Sequence, residues 1–277
     1  MVHGLDHLVV AVQDLDAAGS AWEKLGFTVT PEARHPWGTA NRLIQFDGFF
    51  VELLSVADES LIREAGTGEF SFGAFNRDFL KKRQGGSMVV FESRDPDQDR
   101  ASFEKHHLQT YAPFSFEREA KAPDGSVRKV AFDLTFVTDP LAPDIGYFTC
   151  HNRFPENFWK AEYQAHANGA ASVDEIVLVA KDPCDHHEFL GSLMEQREMR
   201  ATSLGLELKT PRGRVQVLTP DAYSRLFGQE AFEGLPVDLP AIAALGIKCR
   251  GIMARKVIPA QSLFGLTLVF HPTETGG

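Results

Sequence analysis

The hydrophobic pattern of the chain begins with a short apolar run at 5–12, LDHLVVAV, which predicts a buried strand. Asp14 then offers a helix cap, and apolar side chains recur at helical spacing as far as Leu25, before Gly26. Three strand-like stretches follow, at 27–35, 41–47 and 49–56. Asp47-Gly48 is a typical two-residue hairpin turn between the last two. The pattern therefore predicts a βαβββ module.

The same order of elements recurs twice further along the chain. The second copy has strands at 87–93, 114–120, 127–137 and 146–150, a helix from Asp95 to about His107, and a turn at 123–126. The third copy has strands at 172–183, 204–210 and 213–220 with a helix at 185–195, and strands at 246–254 and 266–270 resemble a truncated fourth copy. We predict an α+β fold of repeated βαβββ modules forming open, barrel-like mixed sheets. The expected domains are 1–165, with modules at about 1–60 and 86–152 and a helical connection, and 170–277.

The three copies differ at the positions that could carry chemistry. Aligning 5–16 with 173–183 places Glu175 where the first copy has His7. Aligning 49–56 with 213–220 places Gln216 where the first copy has Glu52. A site that uses this histidine and this carboxylate together therefore belongs to the first module.

Composition and charge narrow the classes of function. The chain of 277 residues is 43% hydrophobic and carries a net charge of −10, which argues against nucleic acid or an anionic membrane surface as a partner. No apolar run approaches the ~20 residues that span a bilayer. The three widely spaced cysteines indicate a reducing compartment, and the first residues lack the basic region of a signal peptide. We expect a soluble, cytoplasmic protein.

Several stretches of the sequence resemble the vicinal oxygen chelate superfamily, and within it the glyoxalase-like domain proteins. They are GLDHLVVAVQDLDAAGSAWEKLGFTVTPEARHPWGTANRLIQFDGFFVELLSV at 4–56, CHNRFPENFW at 150–159 and YQAHANGA at 163–170. The resemblance implies that two βαβββ modules pair around a cleft that holds a metal ion. It also implies one metal ligand from the first strand of a module and one from its last strand.

His7 and Glu52 are the candidate metal ligands of the first module. Imidazole binds borderline metals well, and a carboxylate on an otherwise apolar strand is costly unless it is paired or bound to a metal. Glu52 could also act as a general base. His151, at the end of the second module, is the candidate third ligand, although alternation would turn it outward if Cys150 faces inward. The first strand of the second module offers only Ser87 or Met88 where a fourth ligand is usual.

Four further residues are candidates for catalysis, substrate binding or structure. His35 precedes a glycine-containing strand entry and is a candidate catalytic residue, while Asn41 and Arg42 could bind a carbonyl or carboxylate of a substrate. For all three, an ordinary surface loop is the alternative. His166 lies in a connection between modules, where a structural role is at least as well supported.

Two functions are consistent with these residues. The first is a metal-dependent enzyme in which Zn, Ni, Fe, Mn or Mg binds two adjacent oxygens of a small substrate, with lyase, isomerase and dioxygenase chemistries all open. The second is a metal-free protein of the same fold that binds or sequesters a small molecule, for which the 22 phenylalanines would suit an apolar ligand. A homodimer is compatible with either, because modules of this fold pair within or between chains.

Overall fold

A computed structural model describes residues 2–121 and 127–273 of the chain. The predicted turn at 123–126 lies outside the described residues. The first module contains strands β1 (Leu5–Ala11), β2 (Ala33–Arg34), β3 (Thr39–Phe46) and β4 (Phe49–Val56), with helix α1 (Leu15–Lys24). Helix α2 (Phe72–Lys82) leads from this module to the next.

The remaining elements follow in chain order. The second module contains β5 (Gly85–Glu92), α3 (Pro96–Lys105), β6 (Gln109–Thr110), β7 (Phe114–Lys121), β8 (Val127–Thr138) and β9 (Gly146–Asn152). After the short helix α4 (Pro155–Phe158), the third contains β10 (Ala170–Val179), α5 (His187–Leu193), β11 (Met199–Thr202), β12 (Gly205–Lys209) and β13 (Arg214–Leu218). The last part contains α6 (Pro220–Phe227), α7 (Gln229–Glu233), β14 (Ala241–Cys249), β15 (Lys256–Ile258) and β16 (Thr267–Pro272).

The strand pairing shows which modules stand side by side. β1 is parallel to β4 and antiparallel to β5, so the first module pairs with the second. β10 is parallel to β13 and antiparallel to β14, so the third module pairs with the last part of the chain. β14 meets β5 at Ile242 and Gly86, which joins all sixteen strands in one mixed, mostly antiparallel sheet. This architecture confirms the predicted fold class, whereas the division into domains at 165–170 stays a prediction.

The local signals of the first module act as the sequence predicts. The Asp14 side chain accepts a hydrogen bond from the Ala17 backbone N–H at 2.8 Å, and Gly26 adopts φ 87° directly after α1. The strand predicted at 27–35 is too long, because only Ala33 and Arg34 form a regular strand beside β3, and Thr30 adds a single backbone hydrogen bond to Leu43. Pro31 has no N–H to donate, so it cannot continue a ladder of backbone hydrogen bonds.

The interiors of the two halves are filled differently. Between the first and second modules, the core contains side chains of β1, β4, β8 and β9 together with Phe72 of α2. In the second half, α6 packs Tyr223 and Phe227 against Val177 and Val179 of β10.

His166, in the connection between the halves, accepts the Thr28 N–H at 3.0 Å and lies 2.9 Å from the Gln45 carbonyl oxygen. These contacts support a structural role for this histidine.

Candidate active site

A cavity of about 50 Å³ lies between the first and second modules. Its apolar wall is mostly aromatic and consists of Trp37, Leu43, Phe50, Phe72, Phe116, Phe132, Leu134, Phe148 and Phe158. Its polar lining consists of His7, His35, Asn41, Glu52, Arg118 and Cys150. A few polar groups converging in an apolar cavity are typical of a small-molecule site.

The pairing of β1 with β4 brings His7 and Glu52 together. Phe50 stands opposite His7 and Glu52 opposite Val9, so alternation turns the side chains of His7 and Glu52 to the same face. His7 Nε2 lies 3.8 Å from Glu52 Oε2, and both residues are buried. The His7 ring stacks on Phe50 with a centroid separation of 4.2 Å, which fixes the plane of the imidazole.

Asp6 determines which nitrogen of His7 is available. His7 Nδ1 lies 2.5 Å from Asp6 Oδ1, and because a carboxylate can only accept, Nδ1 is the donor. The lone pair of a neutral imidazole is then on Nε2, the atom that faces Glu52. A carboxylate on the outer nitrogen is the usual arrangement around a metal-binding histidine.

Asn41 connects the carboxylate of Glu52 to His35. Its Nδ2 donates to Glu52 Oε1 at 2.6 Å and lies 3.3 Å from His35 Nε2. His35 Nδ1 lies 2.8 Å from Thr39 Oγ1, so both nitrogens of this ring are engaged. Within the part of the chain that the structure describes, the buried Asn41 Oδ1 has no hydrogen-bond partner, and Asn41 lines the cavity.

Burial sets the protonation of this network. It raises the pKa of Glu52 above its ordinary value of 4.5, against the opposing effects of His7 and the Asn41 hydrogen bond. Burial, reinforced by the positive charge of Arg118, lowers the pKa of His35 to about 3. His35 is therefore neutral near pH 7. Glu52 keeps its proton to a higher pH than a carboxyl group in water does.

Arg118 is a polar residue of the cavity that the sequence reasoning missed. In β7, Phe114, Phe116 and Arg118 are half-buried while Ser115 and Glu117 are exposed, which is the alternation of a strand with one face inward. The stretch FSFEREA carries this period of two, so the signal was present in the sequence. A strand over 114–120 with this alternation places Arg118 on the same face as Phe114 and Phe116.

Two of the predicted site residues lie outside the cavity. Arg42 follows Asn41 along β3, points to the other face, and pairs with Asp16 of α1 at 2.6 Å. His151 follows Cys150 along β9 and points to Asp133, with His151 Nδ1 3.4 Å from Asp133 Oδ2. Neighbouring residues on a strand face opposite sides, so neither side chain shares the site with His7. His35 and Asn41 do line the cavity.

The second module supplies apolar side chains at the places where further ligands would come from. Met88 and Phe148, on β5 and β9, are buried in the same core as Val9 and Phe50. Cys150 lines the cavity with its thiol within 4.8 Å of ligand atoms of Asp6 and His7, but burial raises the pKa of this thiol well above the ordinary value. The described residues thus bring two good metal ligands, His7 and Glu52, to the cavity.

A related cluster occupies the equivalent strands of the second half. Glu175 stands opposite Arg214 and Val177 opposite Gln216, the same register as His7 with Phe50 and Val9 with Glu52, which confirms the alignment of the copies. Asp174, Glu175 and His271 lie close enough to hold a cation, with ligand atoms within 4.8 Å of one another. Arg214 already neutralises Glu175 through a 2.7 Å contact.

Comparison with known proteins identifies the family. The profile of the glyoxalase-like domain matches residues 5–194, more than half of the chain. The chain belongs to the glyoxalase-like domain family. This membership confirms the resemblance to the vicinal oxygen chelate superfamily. A comparison with curated proteins finds no significant match to the sequence.

Solved structures with a similar fold extend over most of the chain. A hypothetical protein from Staphylococcus aureus aligns with a TM-score of 0.74 at 13% identity, over 98% of this chain and 100% of that one. A 4-hydroxymandelate synthase mutant from Streptomyces coelicolor aligns at 0.54 and 8% identity, over 90% and 71%. A xylose isomerase-like TIM barrel/4-hydroxyphenylpyruvate dioxygenase fusion protein aligns at 0.53 and 13% identity, over 91% and 37%. At these identities the likeness shows the fold alone.

Among residues 2–121 and 127–273, no helix has the length and apolar character needed to cross a bilayer.

Proposed function

We propose that this glyoxalase-like protein is an enzyme that binds a small oxygenated substrate in the cavity, with a divalent metal ion held by His7 and Glu52. The observation that carries the proposal is the approach of His7 Nε2 to Glu52 Oε2 at 3.8 Å, with the outer nitrogen of His7 bonded to Asp6. This separation is less than twice a metal–ligand distance of about 2.1 Å, so one ion can contact both atoms. When bound, such an ion would act as a Lewis acid on two adjacent oxygens of the substrate.

The residues of the chain have separate tasks in this site. Asp6 presents the lone pair of His7, and Asn41 orients Glu52 by bonding Oε1, which leaves Oε2 toward His7. The raised pKa of Glu52 suits it to hold a proton taken from a carbon next to a carbonyl group. His35, neutral and bonded on both nitrogens, positions Asn41 and is the second candidate for a catalytic role.

The class of reaction stays open within this proposal. Lyase, isomerase and dioxygenase chemistry all use a substrate bound through two oxygens. Two protein ligands leave several coordination positions to water or substrate, whereas the predicted third ligand, His151, points elsewhere. The cytoplasmic location and a homodimer also stay predictions, which cell fractionation and light scattering would test.

The experiment is a measurement of bound metal in protein purified without a histidine tag. We expect the wild type to bind about one divalent ion per chain, and His7→Ala and Glu52→Gln to lose it, because each removes one of two protein ligands. His187→Ala is the matched control, since its side chain is 48% exposed on α5 and outside the cavity. A folded wild type that binds none of Zn²⁺, Ni²⁺, Fe²⁺, Mn²⁺ or Mg²⁺ would falsify the metal-dependent proposal.

A metal-free binding protein is the second candidate. The observation that favours it is the apolar lining contributed by the second module, including Phe116, Phe132 and Phe148. In that case the cavity binds its ligand by burial of apolar surface. Removing metal with a chelator then leaves the ligand affinity of the wild type unchanged.

A further inference from the structure

Among the arginines that the structure describes as partly buried, Arg118 differs from Arg42 and Arg83 in having no carboxylate partner. Across 2–121 and 127–273, its Nε is covered by protein and makes no hydrogen bond, and no acid forms an ion pair with its guanidinium. Arg42 and Arg83 also have one covered nitrogen without a partner, but each pairs with an acid through another nitrogen, Asp16 and Asp144 respectively. Arg118 is thus a partly buried cation without an ion-pair partner among the described residues.

Arg118 lines the cavity together with Phe116, its neighbour on the inward face of β7. Glu52, the acid that influences the Arg118 charge, lies on the first module and beyond ion-pairing distance. A guanidinium binds a carboxylate through two parallel N–H donors, and a cation kept out of water gains most from such a partner.

The aromatic and polar residues beside Arg118 indicate the shape and polarity of the rest of the ligand. Trp37 and Phe116 meet edge to face at 4.8 Å, and Phe116 and Phe132 stack at 5.2 Å, so the wall beside Arg118 consists of ring faces and edges. Such a wall favours a flat, apolar body. Asn41 Oδ1, covered and without a donor, offers one acceptor to a hydroxyl group of the ligand.

We propose that Arg118 recognises the carboxylate of the substrate, and that the substrate class is small, flat-bodied hydroxy acids. The carboxylate pairs with the guanidinium, the apolar body lies against the rings, and a hydroxyl group donates to Asn41. The inference rests on the cavity being the substrate site, as in the proposed function, but it does not need a bound metal.

The test compares matched acids and amides that differ in charge and hardly in shape. Salicylate and salicylamide, and benzoate and benzamide, are titrated into the full-length protein by calorimetry, after chelation and again after addition of Zn²⁺. We expect the wild type to bind each acid more tightly than its amide. Arg118→Gln loses roughly ten- to a hundredfold in affinity for the acids and little for the amides, because a charged hydrogen bond is removed.

The controls separate recognition from folding and from metal binding. Arg118→Lys keeps the charge and retains part of the preference for acids, and Arg34→Gln, with a side chain 71% exposed, leaves it unchanged. We expect Arg118→Gln to bind as much metal as the wild type. The preference for acids over amides therefore tests Arg118 even if the protein binds no metal. Equal affinity of the wild type for acids and amides, no binding of either, or a preference for acids that survives in Arg118→Gln overturns the proposal.

Discussion

The guanidinium of Arg214 bonds the carboxylate of Glu175, with Nη2 at 2.7 Å and Nε at 3.1 Å from Oε2. The two residues stand opposite each other on β13 and β10, as Phe50 and His7 do on β4 and β1. One strand pairing therefore presents a stacked imidazole in the first half of the protein and an ion pair in the second. The Arg214 contact stabilises a carboxylate whose side chain is only 4% exposed.

Removing this arginine should destabilise the fold. We expect Arg214→Met to lower the free energy of unfolding by about 2–4 kcal/mol, because it leaves the buried Glu175 carboxylate with His271 as its remaining hydrogen-bond partner. Urea denaturation measures the change. Arg225→Met is the control, since its pair with Asp221 is exposed and should cost no more than about 1 kcal/mol. Equal effects of the two substitutions would contradict the role given to Arg214.

The same carboxylate should make stability depend on acid. Burial alone would raise the pKa of Glu175, but the hydrogen bond with His271 and the charge of Arg214 outweigh it and hold the pKa below its ordinary 4.5. The stabilisation is therefore complete above pH 4.5 and is lost as the pH falls through the lower, folded-state pKa. Thermal unfolding between pH 3 and 7 should show the wild type losing its advantage over Glu175→Gln as the solution is acidified. A constant difference across that range would show that Glu175 does not carry the effect.

Glu52 should behave in the opposite way. Its pKa is raised on folding, so its contribution is most favourable below pH 4.5 and becomes unfavourable as the pH rises toward the folded-state pKa. In metal-free protein at pH 7 we expect Glu52→Gln to be more stable than the wild type, with the gain disappearing near pH 4. Glu188→Gln, with a side chain 88% exposed, is the comparison expected to show no such gain. A less stable Glu52→Gln at pH 7 would mean that the carboxylate is compensated by groups other than Asn41 and His7.

Asp6 should tune the proposed metal site through the orientation of His7. Asp6→Asn is expected to lower the affinity for a divalent ion by roughly 10–100-fold, because the outer hydrogen bond orients His7 and increases its basicity. Competition titration with a chromophoric chelator gives the affinity, and circular dichroism confirms the fold. Asp221→Asn, on the exposed surface of α6, is the control. Unchanged affinity in Asp6→Asn would show that the 2.5 Å contact between Asp6 and His7 does not improve His7 as a metal ligand.

Much of the first module could be predicted from its sequence. Apolar alternation located β1 and β4, Asp14 and Gly26 located the ends of α1, and the position of Glu52 in an apolar strand marked it as a carboxylate that needs a partner. These are short-range signals, because the spacing of side chains along a strand or helix determines which face each occupies. The same rule applied to FSFEREA would have turned Arg118 toward Phe116.

What the tertiary structure decided is which faces meet. Pairing β1 with β5 places the first module against the second and brings Arg118 to the cavity of His7, whereas alternation along β3 and β9 turns Arg42 and His151 away from it. The hydrophobic pattern is nearly the same in all the copies, so it cannot distinguish the two halves. In the structure the first two modules enclose the cavity of His7, whereas in the second half α6 and the Arg214–Glu175 pair occupy the equivalent face. By itself the sequence determined the modules, their helix caps and the candidate ligands. The contacts between modules, which depend on the packing of side chains distant in the chain, decided which of those ligands share a site.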